Sequence, residues 1–123
     1  MKLENIGLGV DMERISRFEK YGDFNCTFVQ KIFTKKEIEY CYKNKMFAQH
    51  LCARFCAKEA CIKALSSLGV SGYFCHDFEI ENIESGAPKV NVLRPKKGDN
   101  FSFKVSLSHS GEYATATVIA CIN

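Results

Sequence analysis

Apolar residues recur at helical spacing through the middle of the chain and at every second position on either side of it. Ile6, Leu8 and Val10 alternate with Gly7, Gly9 and Asp11, which predicts a first strand ending at Asp11. The pattern then predicts helices over residues 12–21 and 24–33. Thr34 followed by Glu37 is a capping box, so another helix starts at Thr34 and runs towards residue 43. A long helix follows over about 47–68, stopped by Gly69, with Gly72 in the loop beyond. After it the period becomes two. Phe78 and Ile80, then Val90 and Val92, flank the turn signal Ser85-Gly86-Ala87-Pro88. A polar loop over 94–100 leads to Phe101, Phe103, Val105 and Leu107, which alternate with polar residues. Ser110-Gly111-Glu112 turns the chain into a last strand over 113–122, rich in Thr, Val and Ile. The last two strands form the clearest hairpin. A strand, then helices, then strands joined by short turns predicts an α+β fold with a mainly antiparallel sheet. No linker, repeat or low-complexity segment interrupts it, so residues 1–123 read as one domain.

The long helix carries a contradiction. Leu51, Phe55, Ile62 and Leu65, with Cys52 and Cys56, form an apolar stripe, and Ala53, Ala57, Ala60 and Ala64 form a seam of small residues opposite it. Such a helix is packed on both sides, yet it carries Arg54, Lys58, Glu59 and Lys63. Burying an unpaired charge is costly, so these groups pair with each other or face a charged ligand. Glu59 and Lys63 have the spacing and order of a stabilising helical ion pair, and they equally suit a site. Arg54 and Lys58 are both cationic, so they extend to water or share an anion such as phosphate.

Two further residues have the same ambiguity. Asp11 shares a strand face with Gly7 and Gly9, and glycines within a strand mark close approach by a ligand or another backbone. Its carboxylate could reach a metal, or it could cap the helix that follows. His109 falls by parity on the inward face of its strand, beside the turn. It is either a hydrogen-bonded structural histidine or a group that contacts an anion or moves a proton near neutral pH.

Composition narrows the chemistry. The chain has 123 residues, 46% of them hydrophobic and 25% charged, as in an ordinary water-soluble domain. No apolar stretch is long enough to insert in a membrane, and the N-terminus lacks a long apolar segment, so a cytoplasmic protein is expected. The net charge of +3 suits anionic small molecules or an acidic partner. The Lys and Arg are scattered rather than gathered into a stripe with aromatics, which argues against nucleic acid. Seven cysteines, an odd count with no C-x-x-C, argue for reduced core residues rather than a disulfide framework or structural zinc. Two carboxylates, several cations and a histidine fit Mg²⁺-assisted phosphoryl chemistry. No Gly-rich P-loop is present. A non-catalytic module for nucleotides is the alternative, but it leaves Asp11 and Glu59 together unexplained.

Three separate stretches carry a resemblance. Gly9-Val10-Asp11 with Arg17, then Arg54-Phe55-Cys56-Ala57-Lys58-Glu59-Ala60 with Lys63-Ala64, then Ser106-Leu107-Ser108-His109-Ser110 with Tyr113-Ala114 resemble the signatures of holo-[acyl-carrier-protein] synthases. These are the small bacterial type of 4′-phosphopantetheinyl transferase, and Gly86-Ala87-Pro88 resembles their Gly-Lys-Pro-type turn. The resemblance covers about residues 6–120. It implies the fold of that family and transfer of the phosphopantetheine arm of coenzyme A to a serine of acyl carrier protein, in support of fatty acid biosynthesis. It implies Asp11 and Glu59 as Mg²⁺ carboxylates, with Glu59, directly or through water, as the base. Lys63 would steady the diphosphate and leaving group, and Arg54, Lys58 and His109 would contact nucleotide phosphates. It implies a homotrimer with active sites between subunits, the alanine seam permitting close packing within or between them. The carrier would dock on the helix after the first strand, through Arg14, Arg17 and Lys20 with apolar Phe28 and Ile32. Phe24, Asn25, Cys26 and Thr27 stand where members often carry basic residues, and members more often have Ala or Gly at Cys52, Cys56 and Cys61.

Overall fold

Glycine at alternate positions of the first strand sets how closely the long helix can lie on the sheet. In the computed structural model, which describes residues 2–123, β1 (Ile6–Arg14) pairs antiparallel with β5 (Tyr113–Ile122), and β5 with β4 (Phe101–Ser110). The strand order is therefore β1-β5-β4. The long helix, α3 (Phe47–Ser67), crosses one face of this sheet. A Cβ added at Gly7 would lie 2.0 Å from the Ala64 carbonyl oxygen, and one at Gly9 would lie 2.0 Å from that of Ala60. Ala57, Ala60 and Ala64 on α3 and Ala114, Ala116 and Ala120 on β5 complete a buried seam of small residues. The seam thus packs within one chain, and the strand glycines answer to a neighbouring backbone.

The other side of α3 packs against α2 (Lys35–Tyr42) and β2 (Phe78–Asn82), which pairs antiparallel with β3 (Pro88–Val92) as a second sheet. Twelve of the 21 residues of α3 are buried, so it is a core helix on nearly every side. Phe18, Phe55, Leu51, Leu65 and Phe78 fill the core around it. The capping box forms as expected: Thr34 Oγ1 accepts from the Glu37 N–H, and Glu37 Oε1 accepts from the Thr34 N–H.

The strongest departure lies after Asp11. The strand does not end there. It continues to Arg14 because β5 is long enough to extend the ladder, pairing Met12 with Thr115 and Arg14 with Tyr113. The helix expected over 12–21 is reduced to a 3₁₀ turn, Ile15–Phe18. The one expected over 24–33 is reduced to α1 (Thr27–Ile32). All seven cysteines are free, and five are buried. Burial pushes the Cys41 thiol up to about 12, which keeps it protonated and unreactive.

Candidate active site

The four charged side chains of α3 separate into three environments. Lys58 is fully buried and donates to Glu37 Oε1 at 2.6 Å, to the Ile32 carbonyl at 2.8 Å and to the Phe78 carbonyl at 2.8 Å. An ammonium has three N–H groups, so none is left for a ligand. Glu37 is equally occupied: besides Lys58 it accepts from the backbone N–H groups of Thr34 and Ile80, each at 2.8 Å. The expectation that Lys58 faces a phosphate is therefore corrected. It ties α3 to the end of α1, the start of α2 and β2.

Arg54, four residues earlier, turns elsewhere. Only 2% exposed, it lays its guanidinium 4.0 Å over the Tyr40 ring, and Nη2 donates to Asn82 Oδ1 at 2.5 Å. Asn82 in turn donates to the Gly86 carbonyl at 2.8 Å, so the Gly86-Ala87-Pro88 turn holds the residue that holds Arg54. Arg54 Nε is buried with no hydrogen-bond partner among the described residues. Tyr40, His50, Ala53, Arg54, Asn82 and His109 line a cavity of about 150 Å³. A buried guanidinium with an unmatched donor beside such a cavity suits an incoming phosphate oxygen. His109 reaches it from β4, exposed, at the position opposite Ala114.

Glu59 and Lys63 do not form the helical ion pair that their spacing allows. Lys63 Nζ lies 3.0 Å from Asp11 Oδ1 and 3.1 Å from the Val10 carbonyl. The strand below α3 offers two acceptors, which outcompete one flexible carboxylate on the same helix. Asp11 is mid-strand, opposite Ala116, which rules out a helix-capping role. Glu59 is half-buried, and its Oε1 accepts from the Cys75 thiol at 3.7 Å. Burial pushes that thiol up to about 12, the charge of Glu59 adds to the rise and so does that of Asp11. Cys75 is thus a protonated donor that feels the charge of both carboxylates.

This carboxylate pair suits a magnesium ion. Glu59 Oε2 accepts no hydrogen bond from any described residue. No cluster of three or more His, Cys, Asp and Glu side chains forms among the described residues. Two hard oxygen donors are a set that Mg²⁺ accepts, the rest of its shell coming from water and phosphate.

The residues expected to meet a carrier protein divide as well. Arg14, Arg17 and Lys20 are exposed, but on the end of β1 and the turn after it rather than on a helix. Arg14 pairs with Glu112 at 3.1 Å, and Arg17 pairs with Glu13 at 2.6 Å while its guanidinium lies over Phe55. Lys20 Nζ lies 5.4 Å from the Tyr21 ring centroid. Phe28 stacks on Tyr21, and it and Ile32 are half-buried against the core.

Sequence reasoning passed over Tyr40, His50, Cys75 and Asn82, and read Glu37 only as a helix cap. His50 carried a usable signal, since it stands one turn before Arg54 on the same helix face. The others come from distant elements, and local periodicity has no means of linking them to α3.

A two-sheet α+β chain wrapped on one core helix, with a carboxylate pair and a cationic cavity along that helix, defines a phosphate-handling protein. Residues 7–118 match the 4′-phosphopantetheinyl transferase superfamily, and the chain belongs to that family. It is similar to the holo-[acyl-carrier-protein] synthase of Geotalea daltonii, 38% identical over 120 residues that span 92% of this chain and 95% of that one. Among solved structures it is similar to the holo-(acyl-carrier-protein) synthase of Bacillus anthracis in complex with CoA (3′,5′-ADP). There the identity is 27% and the TM-score 0.76, over 95% of this chain and 96% of that one. The Helicobacter pylori enzyme in complex with coenzyme A is 29% identical with a TM-score of 0.73, over 92% of this chain and 98% of that one.

Proposed function

We propose that this chain is a holo-[acyl-carrier-protein] synthase that moves the 4′-phosphopantetheine arm of coenzyme A onto a serine of apo-acyl carrier protein. The observation that carries this reading is the placement of two sites on α3: Arg54 at a cationic cavity shared with His109, and Lys63 bridging to Asp11 one turn beyond Glu59. Arg54 and His109 bind the nucleotide phosphates of coenzyme A. The carrier serine hydroxyl attacks the β-phosphorus, and Glu59 accepts its proton. The bond from that phosphorus to the bridging oxygen breaks, so adenosine 3′,5′-bisphosphate leaves. Lys63 donates to the diphosphate oxygens and offsets the charge on the leaving group. Asp11 and Glu59 would hold Mg²⁺, which when bound supplies charge neutralisation at the diphosphate. Arg14, Arg17 and Lys20, flanked by Phe28 and Ile32, form the carrier-docking surface.

Mass spectrometry tests the reaction. Incubated with coenzyme A, Mg²⁺ and a panel of apo carrier proteins, the protein is expected to add the phosphopantetheine mass to a carrier serine. Coenzyme A binding with no added mass on any carrier would favour the non-catalytic module.

The outer face of the three-stranded sheet supports a homotrimer with its active sites at the subunit boundaries. Leu8, Val10 and Met12 are each more than half exposed there, with Leu8 paired to exposed Ile119. An exposed apolar row along β1, joined by Ile119, is a surface that another subunit covers. Light scattering should return three times the 13.9 kDa chain mass, and Val10→Glu should return a single chain. No helix of the described residues is long and apolar enough to cross a membrane. The free thiols support a reducing, cytoplasmic setting.

A further inference from the structure

His50 is not among the residues of the three motifs that carry the family resemblance, yet it lines the same cavity as Arg54 and His109. Its ring meets Tyr40 edge-on, with centroids 5.3 Å apart and planes at 89°. Tyr40 also carries the Arg54 guanidinium, so one aromatic wall orients both groups. The groups around His50 are cationic or neutral. Arg54 faces it from α3, Tyr40 from α2 with Lys43 over the same ring, and His109 from β4, while β2 contributes the neutral Asn82. No carboxylate lines the cavity. Three cation-capable side chains around one small cavity, with no counter-charge and an unmatched Arg54 donor, imply an anion bound by all three.

We propose that His50 is a third phosphate-binding residue of this cavity, donating an imidazole N–H to the same anion as Arg54 and His109. This rests on the reading of the cavity as the seat of a coenzyme A phosphate. Without an anion, burial first, then Arg54 and His109, hold the His50 imidazole below its ordinary range. An incoming phosphate reverses the electrostatic part of that balance and favours the charged ring. Binding then takes up a proton at pH values between the lowered free value and the raised bound one. Affinity is greatest below that window and is lost as pH rises through it.

Calorimetric titration with adenosine 3′,5′-bisphosphate tests this from about pH 6 to about pH 8.5. The ligand's own titration is common to every variant, so differences isolate the imidazole. His50→Phe keeps an aromatic edge against Tyr40 and is expected to bind about 10-fold more weakly at the low end and within about twofold at the high end. Its proton uptake, measured in two buffers of different ionisation heat, should fall. His50→Gln, which donates but cannot charge, should keep its affinity at high pH and lose the pH dependence. Wild-type affinity and pH slope in His50→Phe, alongside loss of binding in Arg54→Gln, would overturn the role of His50 and leave the cavity assignment standing. Unchanged binding in Arg54→Gln as well would overturn both.

Discussion

Glu59→Gln is expected to lower phosphopantetheine transfer by about 10³-fold while leaving thermal unfolding nearly unchanged, since positioned general bases contribute roughly 10²–10⁴. The amide has the shape of the carboxylate, and its oxygen can still accept from Cys75, so the local packing survives. What is lost is the proposed proton acceptor for the serine and half of the carboxylate pair that suits the metal. The readout is initial rate of carrier modification across a Mg²⁺ series, beside a thermal melt. Full activity at limiting Mg²⁺ would remove Glu59 from both roles. Asp11→Ala should lose activity too, but less cleanly, because it also frees Lys63.

Lys58→Met is expected to do the reverse, costing about 3–5 kcal/mol of stability, or roughly 10–20 °C in Tm for a domain of this size. The methionine fills similar volume but leaves the Glu37 charge buried beside unmatched carbonyls at Ile32 and Phe78. Adding Glu37→Leu should recover part of the loss, since removing both charges is cheaper than stranding one. Recovery stays incomplete because the Thr34 and Ile80 N–H groups lose their acceptor. Nucleotide affinity, measured below the melting range, should stay near wild type. A stable Lys58→Met that bound nucleotide poorly would restore Lys58 to the ligand.

The contrast between these two neighbours shows where sequence reading stops. Period-two patterning located four of five strands closely, and the capping box and Gly69 located two helices, because those signals are local. The extension of β1 to Arg14 depended on the length of β5, about a hundred residues later, and nothing near Met12 announces it. The same limit governs the charges. The α3 pattern correctly marked Arg54, Lys58, Glu59 and Lys63 as anomalous, but the partner its i,i+4 spacing suggested was Glu59 for Lys63, with water or an anion for the other two. The partners are Tyr40 and Asn82 for Arg54, Glu37 for Lys58, Cys75 for Glu59 and Asp11 for Lys63, all from outside α3. A motif shared with a family carried Lys58 along with its neighbours, although its side chain serves the core.

The glycines of β1 have a consequence beyond packing. Asp11 rides on the strand whose distance from α3 is set at Gly7 and Gly9, and Lys63 and Glu59 ride on the helix. If these three residues act as proposed, the backbone gap is a calibrated spacing in the chemistry as well as in the core. A single methyl at Gly9 would act like a wedge under a bridge, lifting one bank of the proposed reaction centre from the other. Such a change would slow catalysis without altering any residue that touches substrate.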